Sequence, residues 1–122
     1  MEIFVFGSNT EGRHGKGAAL TARLKYGAIY GQSSGLQGNS YAIITKDLSK
    51  GLRSVDLKFI EKQVKEFLEF AKNSEHTFIV SKIGCGLGGY NPNEIAPFFK
   101  TLLQMLYYQM NLKTIPRDRL IK

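Results

Sequence analysis

One cysteine, Cys85, is all that this chain carries, so no intramolecular disulfide can form and a packed core must hold the fold. Histidine is almost as scarce. His14 and His76, even together with Cys85, offer no ligand spacing for zinc or another transition metal, and neither a metal nor a cofactor is expected. Long apolar runs are missing as well. The opening stretch Met1–Phe6 meets Gly7 too early to make the core of a secretory leader, and no later run approaches a membrane span. The cytoplasm is therefore the default compartment, with no membrane partner expected.

Acidic residues are in short supply: ten, against seventeen lysines and arginines. The resulting net charge of +7 implies an anionic partner without naming it. Part of the excess sits in residues 113–122, where Lys113, Arg117, Arg119 and Lys122 face a single acid, Asp118. That segment reads as a basic tail, either serving an anionic partner or simply a solvated terminus. A nucleic-acid interface is not expected, because no aromatic residues interleave with the cations on a strand pair and no recognition helix is visible.

What is present suits one domain spanning 1–122. A chain of 122 residues with 43% hydrophobic content buries enough surface for one core and too little for two. Residues 2–6 (Glu-Ile-Phe-Val-Phe) predict a buried strand ending at Gly7, and residues 16–26 a helix closed by Gly27. Residues 28–40 predict a long ordered loop, 41–45 a second strand and 47–54 a further loop. The plainest helix covers 55–72, where Leu57, Ile60, Val64, Phe67 and Ala71 form one apolar stripe and Ser54 supplies the expected N-cap. Residues 77–81 predict a third strand and 94–110 a last helix. A fourth strand over 112–116 is confined to a sheet edge by Pro116. Strands alternating with helices predict an α/β fold with a mixed, mostly parallel sheet, and ligands in such sheets bind beyond the carboxyl ends of the strands.

Two glycine-rich loops fall at those ends. The first, Gly7-Ser-Asn-Thr-Glu-Gly-Arg-His-Gly-Lys-Gly17, leads into a helix, where bare backbone amides and the helix dipole favour an anion. It is neither a Walker loop nor a Gly-x-Gly-x-x-Gly fingerprint. The second, Gly84-Cys-Gly-Leu-Gly-Gly89, can present a row of amides as an anion-binding nest. Together they suit a diphosphate gripped from two sides, with Asn9 near ribose hydroxyls and Tyr90 stacked on a ring. His14 can act as a general acid or base, or simply hydrogen-bond a phosphate. Lys46 and Asp47 end the second strand, either as active-site groups or as a solvated pair. Cys85 lacks an adjacent base and is expected to be a small packed residue rather than a nucleophile.

Three motifs in order, Ser8–Ala19 (SNTEGRHGKGAA), Tyr41–Lys46 (YAIITK) and Ile83–Leu87 (IGCGL), resemble the macro-domain family. The nearest likeness is to the branch that includes the terminal ADP-ribose protein glycohydrolase. The chain also resembles small phage and bacterial proteins that process ADP-ribose-1''-phosphate. By motif order the resemblance covers about residues 3–110. It implies a three-layer α/β/α sandwich, shortened at the N-terminus, that binds ADP-ribose or a derivative and hydrolyses ADP-ribose-1''-phosphate or an ADP-ribosylated protein. The alternative is a non-catalytic nucleotide-binding module. The resemblance implies that loop 84–89 wraps the diphosphate and loop 9–17 reaches the distal ribose. The expected ligand contacts are Ser8, Asn9, Arg13, Gly15, Lys16, Gly17, Ile83, Gly84, Cys85, Gly86, Leu87, Gly88 and Tyr90. His14, Lys46 and Asp47 are the expected catalytic set, Lys46 matching the branch's nucleophile. That branch has an aspartate directly after the Gly-Cys-Gly-Leu motif, where this chain has Gly88. The Gly-Asp-Ile segment with which macro domains usually read adenine has no counterpart in the sequence.

Overall fold

The continuous apolar run Ile3–Phe6 in Glu2–Asn9 makes it a strand buried on both faces, and it lies inside the sheet between two parallel neighbours. The computed structural model describes residues 2–99. This first strand, β1, pairs in parallel with β3 (Ser40–Lys46) on one side and with β4 (Thr77–Val80) on the other. A short strand, β2 (Gly35–Gln37), runs antiparallel along the outer edge of β3, giving the order β2-β3-β1-β4. The registers Phe4↔Ser40 and Val5↔Val80 tie the three parallel strands closely.

Two helices cover opposite faces. Ile3 and Val5 of β1, Ile43 of β3, and Phe78 and Val80 of β4 point to one side. There they meet Ile60, Val64, Phe67, Leu68 and Ala71 of α2 (Leu57–Lys72). Phe6 and Ala42 point to the other side and meet Ala19 and Ala22 of α1 (Gly17–Lys25). The small alanines let α1 lie close to the sheet, whereas α2 brings a larger apolar payload. A short helix, α3 (Pro92–Ile95), follows β4 and seats Ile95 in the larger core.

Several boundaries differ from the expectation. β1 continues past Phe6 to Asn9, because Gly7 and Ser8 stay paired with Ile43 and Ile44. Gly7 is there for close approach rather than for a turn: a Cβ would lie 2.9 Å from Thr45 Oγ1. β2 lies inside the expected loop 28–40. Asp56, not Ser54, caps α2, accepting from the Lys58 amide, while the Ser54 hydroxyl accepts from the Asp47 amide at 2.8 Å. Most of the expected helix 94–110, the expected strand 112–116 and the basic segment 113–122 lie outside the described residues. Among the described residues no helix is long and apolar enough to cross a membrane, and no cluster of His, Cys, Asp and Glu could hold a metal.

Where β2 ends, a side chain takes over its pairing role. Buried Gln63 of α2 accepts from the Ile44 amide at 2.7 Å and donates to the Ile44 carbonyl at 2.8 Å. One primary amide thus serves both backbone groups that a neighbouring strand would otherwise meet. Gln63→Leu leaves both unpaired, and urea unfolding is expected to show a loss of about 2–4 kcal/mol.

Candidate functional site

Parallel pairing brings the carboxyl ends of β1, β3 and β4 to a single edge of the sheet. The segments leaving those ends touch one another. Loop 10–16 follows β1, a strap at 47–56 follows β3, and loop 81–91 follows β4. The strap is joined to the first loop, where the Thr10 amide donates to the Lys46 carbonyl at 3.0 Å and the Leu48 amide to Thr10 Oγ1 at 3.3 Å. At its other end the Arg53 amide donates to the Gly88 carbonyl at 2.8 Å. β1 itself meets the third segment, since a Cβ on Gly7 would lie 3.3 Å from the Gly84 nitrogen.

The first loop is shaped by its own polar side chains. Asn9 Oδ1 accepts from the amides of Glu11 (3.2 Å) and Arg13 (2.9 Å), and its Nδ2 donates to the Arg13 carbonyl at 2.8 Å. Gly12, at φ 67°, lies so close to Gly31 that a Cβ would come 2.5 Å from the Gly31 carbonyl carbon. Beyond His14 the chain opens. Lys16 enters α1 in an extended conformation with no side-chain cap. Among the described residues nothing accepts from the amides of Gly15, Lys16, Gly17 or Ala18. Those donors add to the positive end of the α1 dipole.

The second loop has the same property. Gly84 and Gly89 adopt φ 76° and 84°, and the Tyr90 amide closes the turn on the Gly84 carbonyl at 2.7 Å. Between them the amides of Gly86, Leu87 and Gly88 have no acceptor among the described residues, an arrangement that forms an anion nest. Gly88 is confined: a Cβ would lie 2.8 Å from the Gly84 carbonyl oxygen and 3.0 Å from that of Thr45. The aspartate of the glycohydrolase branch therefore does not fit here unless the loop moves. A shallow recess behind this loop, lined by Lys82, Ile83, Cys85, Ile95 and Phe99, is almost wholly apolar and excludes the free amides of Gly86–Gly88.

The side chains expected to do chemistry are mostly occupied in holding these loops. His14 is fully buried. Its Nε2 lies 3.0 Å from the Gln32 carbonyl and 3.2 Å from Gln37 Oε1, and its edge meets Phe6 with ring centroids 5.1 Å apart. The Gln37 amide is oriented by the Ile29 amide, which donates to Oε1 at 2.8 Å, so Nε2 faces two acceptor oxygens, while Nδ1 is buried with no hydrogen-bond partner among the described residues. Asp47 accepts from the Ser49 hydroxyl at 2.6 Å and the Ser49 amide at 2.9 Å, and these bonds hold its carboxyl below the usual range. Tyr90, expected to stack on a ligand ring, is 6% exposed. Its hydroxyl donates to the Val55 carbonyl and the Arg53 guanidinium lies 4.5 Å from its ring centroid. Burial pushes the half-buried Cys85 thiol up, against thiolate formation.

Of the remaining expected residues, Ser8 is buried below the rim, and its carbonyl accepts from the Thr45 hydroxyl at 3.2 Å. Ile83 is buried in the larger core. Arg13 pairs with Glu11 at 3.0 Å on the surface. Lys16 is exposed and Lys46 half-buried, both on segments that form the rim. Three residues that the sequence reading did not single out prove central: Thr45, Arg53 and Glu94. For Glu94 a signal was present, since Asn91-Pro-Asn-Glu94 forms a capping box at the start of α3. For Arg53 there was none. Its guanidinium grips Glu94 through two bonds, 2.8 and 2.7 Å.

A Bacteroides thetaiotaomicron protein of unknown function matches 83% of this chain and 79% of its own length, with TM-score 0.60 and 21% identity. A Thermosipho africanus DarTG chain, solved in complex with ADP-ribose, matches 93% of this chain with TM-score 0.52 and 18% identity. This chain spans 36% of that DarTG chain. The chain shares an α/β sandwich fold with both. At these identities the likeness concerns architecture, and no protein-family model or curated protein matches the sequence.

Two outcomes follow from the side-chain roles. His14→Ala removes a buried ring and its bond to Gln32, and is expected to lower unfolding free energy by about 2–4 kcal/mol in urea titration. The Arg53 fork, and then the Asn91 amide, lower the Glu94 carboxyl from 4.5 to about 2. A depressed carboxyl contributes stability that is complete above its unfolded value and lost as pH falls through the folded one. In thermal unfolding the wild-type advantage over Glu94→Gln should therefore stay level down to pH 4.5 and fade towards pH 2. An advantage that disappears at a higher pH would contradict this assignment.

Proposed function

We propose that this chain binds ADP-ribose or a derivative, including an ADP-ribosylated protein, with the diphosphate held between the amides of Gly86–Gly88 and those of Gly15–Ala18. The observation that carries the reading is that two sets of unmatched consecutive amides follow the carboxyl ends of β1 and β4, adjacent parallel strands. Backbone donors in a row suit spread negative charge, and the start of α1 adds its dipole. Lys16 and Lys46 on the same rim, and the net charge of +7, favour an anion further. The DarTG chain of like fold, solved with ADP-ribose, supports the choice of nucleotide.

Binding without turnover is the form of this reading that the geometry supports best. A hydrolase needs a group free to move a proton or attack the ribose. His14 is enclosed, Asp47 is bonded to its own turn, and the Cys85 thiol is disfavoured as thiolate. Lys46 favours the second reading, hydrolysis of ADP-ribose-1''-phosphate or of an ADP-ribosyl ester, because it ends β3 on the rim with no ion pair among the described residues.

Isothermal calorimetry with ADP-ribose tests the first reading. Gly15 and Gly86 have open space where a Cβ would go and lack a positive φ, so alanine is tolerated by the fold at both. Gly86→Ala and Gly15→Ala are expected to keep the wild-type melting temperature and to bind about tenfold more weakly, about 1.4 kcal/mol. No heat with wild type, or unchanged affinity in both variants, removes the proposal. Mass analysis after long incubation with ADP-ribose-1''-phosphate and with ADP-ribosylated protein is expected to find no product; product that vanishes in Lys46→Ala establishes the second reading instead.

A further inference from the structure

Arg53 stands out among the described residues as the non-glycine held at positive φ, 55°. Left-handed backbone is unfavourable for a residue with a long side chain, and such strain persists only where surroundings over-determine it. Here several contacts do so. The Arg53 amide donates to the Gly88 carbonyl at 2.8 Å. Its guanidinium makes a two-bond fork to Glu94 and covers the ring of Tyr90. The Tyr90 hydroxyl lies 3.4 Å from the Arg53 carbonyl. Glu94 in turn accepts from the Asn91 amide at 3.1 Å.

Stability alone does not account for this arrangement. An ion pair whose side chains are 51% and 27% exposed contributes little to folding, and the backbone strain works against it. What the contacts do achieve is placement. They grip the second loop at Gly88, the last of its three free amides, and again at Tyr90 and Glu94 just beyond it. A two-bond guanidinium–carboxylate fork fixes direction as well as distance, which a lysine cannot do.

We propose that Arg53 is a positioning residue for the anion nest Gly86–Gly88, setting the aim of its amides through the Gly88 carbonyl and the Glu94 fork without touching the ligand itself. The inference rests on the diphosphate reading of the site. Its charge is spent on Glu94, so the effect on binding comes from preorganised donors rather than from attraction at a distance.

Arg53→Ala and Arg53→Gly separate the two effects of the residue, since both lose the fork while glycine also relieves the φ. Arg53→Lys keeps the charge and loses the fork. All three are expected to bind ADP-ribose and inorganic pyrophosphate about tenfold more weakly by calorimetry. Melting temperature should order differently, with Arg53→Gly above Arg53→Ala. In the unliganded protein, amide nitrogen and proton shifts of Gly86, Leu87 and Gly88 should move in each variant while those of Gly15, Lys16 and Gly17 stay. Wild-type affinity in Arg53→Lys, or unmoved nest resonances, overturns the assignment while leaving the diphosphate site intact. Should wild type bind neither probe, the site reading itself fails, and the resonance shifts still decide whether Arg53 sets the loop.

Discussion

Two parallel ladders on one strand, β1 against β3 and β1 against β4, are the constraint on which the remaining structure depends. Parallel neighbours cannot be joined by a tight turn, so the chain must cross back over the sheet each time. The first crossing carries α1 over one face and the second carries α2 over the other. Because the crossings leave to opposite faces, the carboxyl ends of the strands form a topological switch point, the place where ligands bind in open α/β sheets. Both amide-rich loops are delivered there by topology alone.

At that edge the labour is divided between backbone and side chains. The donors without an acceptor among the described residues are main-chain amides, in Gly15–Ala18 and Gly86–Gly88. The polar side chains nearby bond the loops themselves. Asn9 folds its loop, His14 anchors that loop to Gln32 and Gln37, Asp47 closes a turn with Ser49, and Arg53 clamps Glu94. Glycine is needed where backbones approach one another, as at Gly12 against Gly31 and Gly88 against Gly84 and Thr45. Main-chain amides do not titrate, so the proposed cradle presents the same donors wherever the fold persists.

Legibility in the sequence follows this division. The apolar stripe of Leu57, Ile60, Val64, Phe67 and Ala71 and the β-branched runs at 3–6 and 77–80 announced α2, β1 and β4, because burial imposes a period on side chains. β2 was hidden, since Gly35-Leu36-Gln37 has no period and becomes a strand only through the exposed edge of β3. The loops were legible as amide cradles from their glycines. The direction of polar side chains was not: an asparagine, aspartate or histidine beside a glycine loop serves a ligand or the loop itself with equal chemistry. Asp47-Leu48-Ser49 and Asn91-Pro-Asn-Glu94 did carry local signals of turn and cap, each a pattern in which the side chain bonds its own backbone.

The same contrast bears on catalysis. In the branch that the motifs most resemble, lysine works with an aspartate placed directly after the Gly-Cys-Gly-Leu motif. Here that place belongs to Gly88, and two carbonyl oxygens within 3.0 Å of any Cβ hold the space closed. The nearest other carboxylate in sequence to Lys46 is Asp47, kept ionised by Ser49 and bonded within its own turn. A lysine without an acidic partner still contributes positive charge to an anion site, which requires only that it be present and protonated. Attack on a ribose requires more, a neutral amine and a group to shuttle its proton. Among the described residues the rim offers cations and free amides that suit the first requirement and no unengaged group placed for the second, which is why binding, rather than bond cleavage, is the reading proposed.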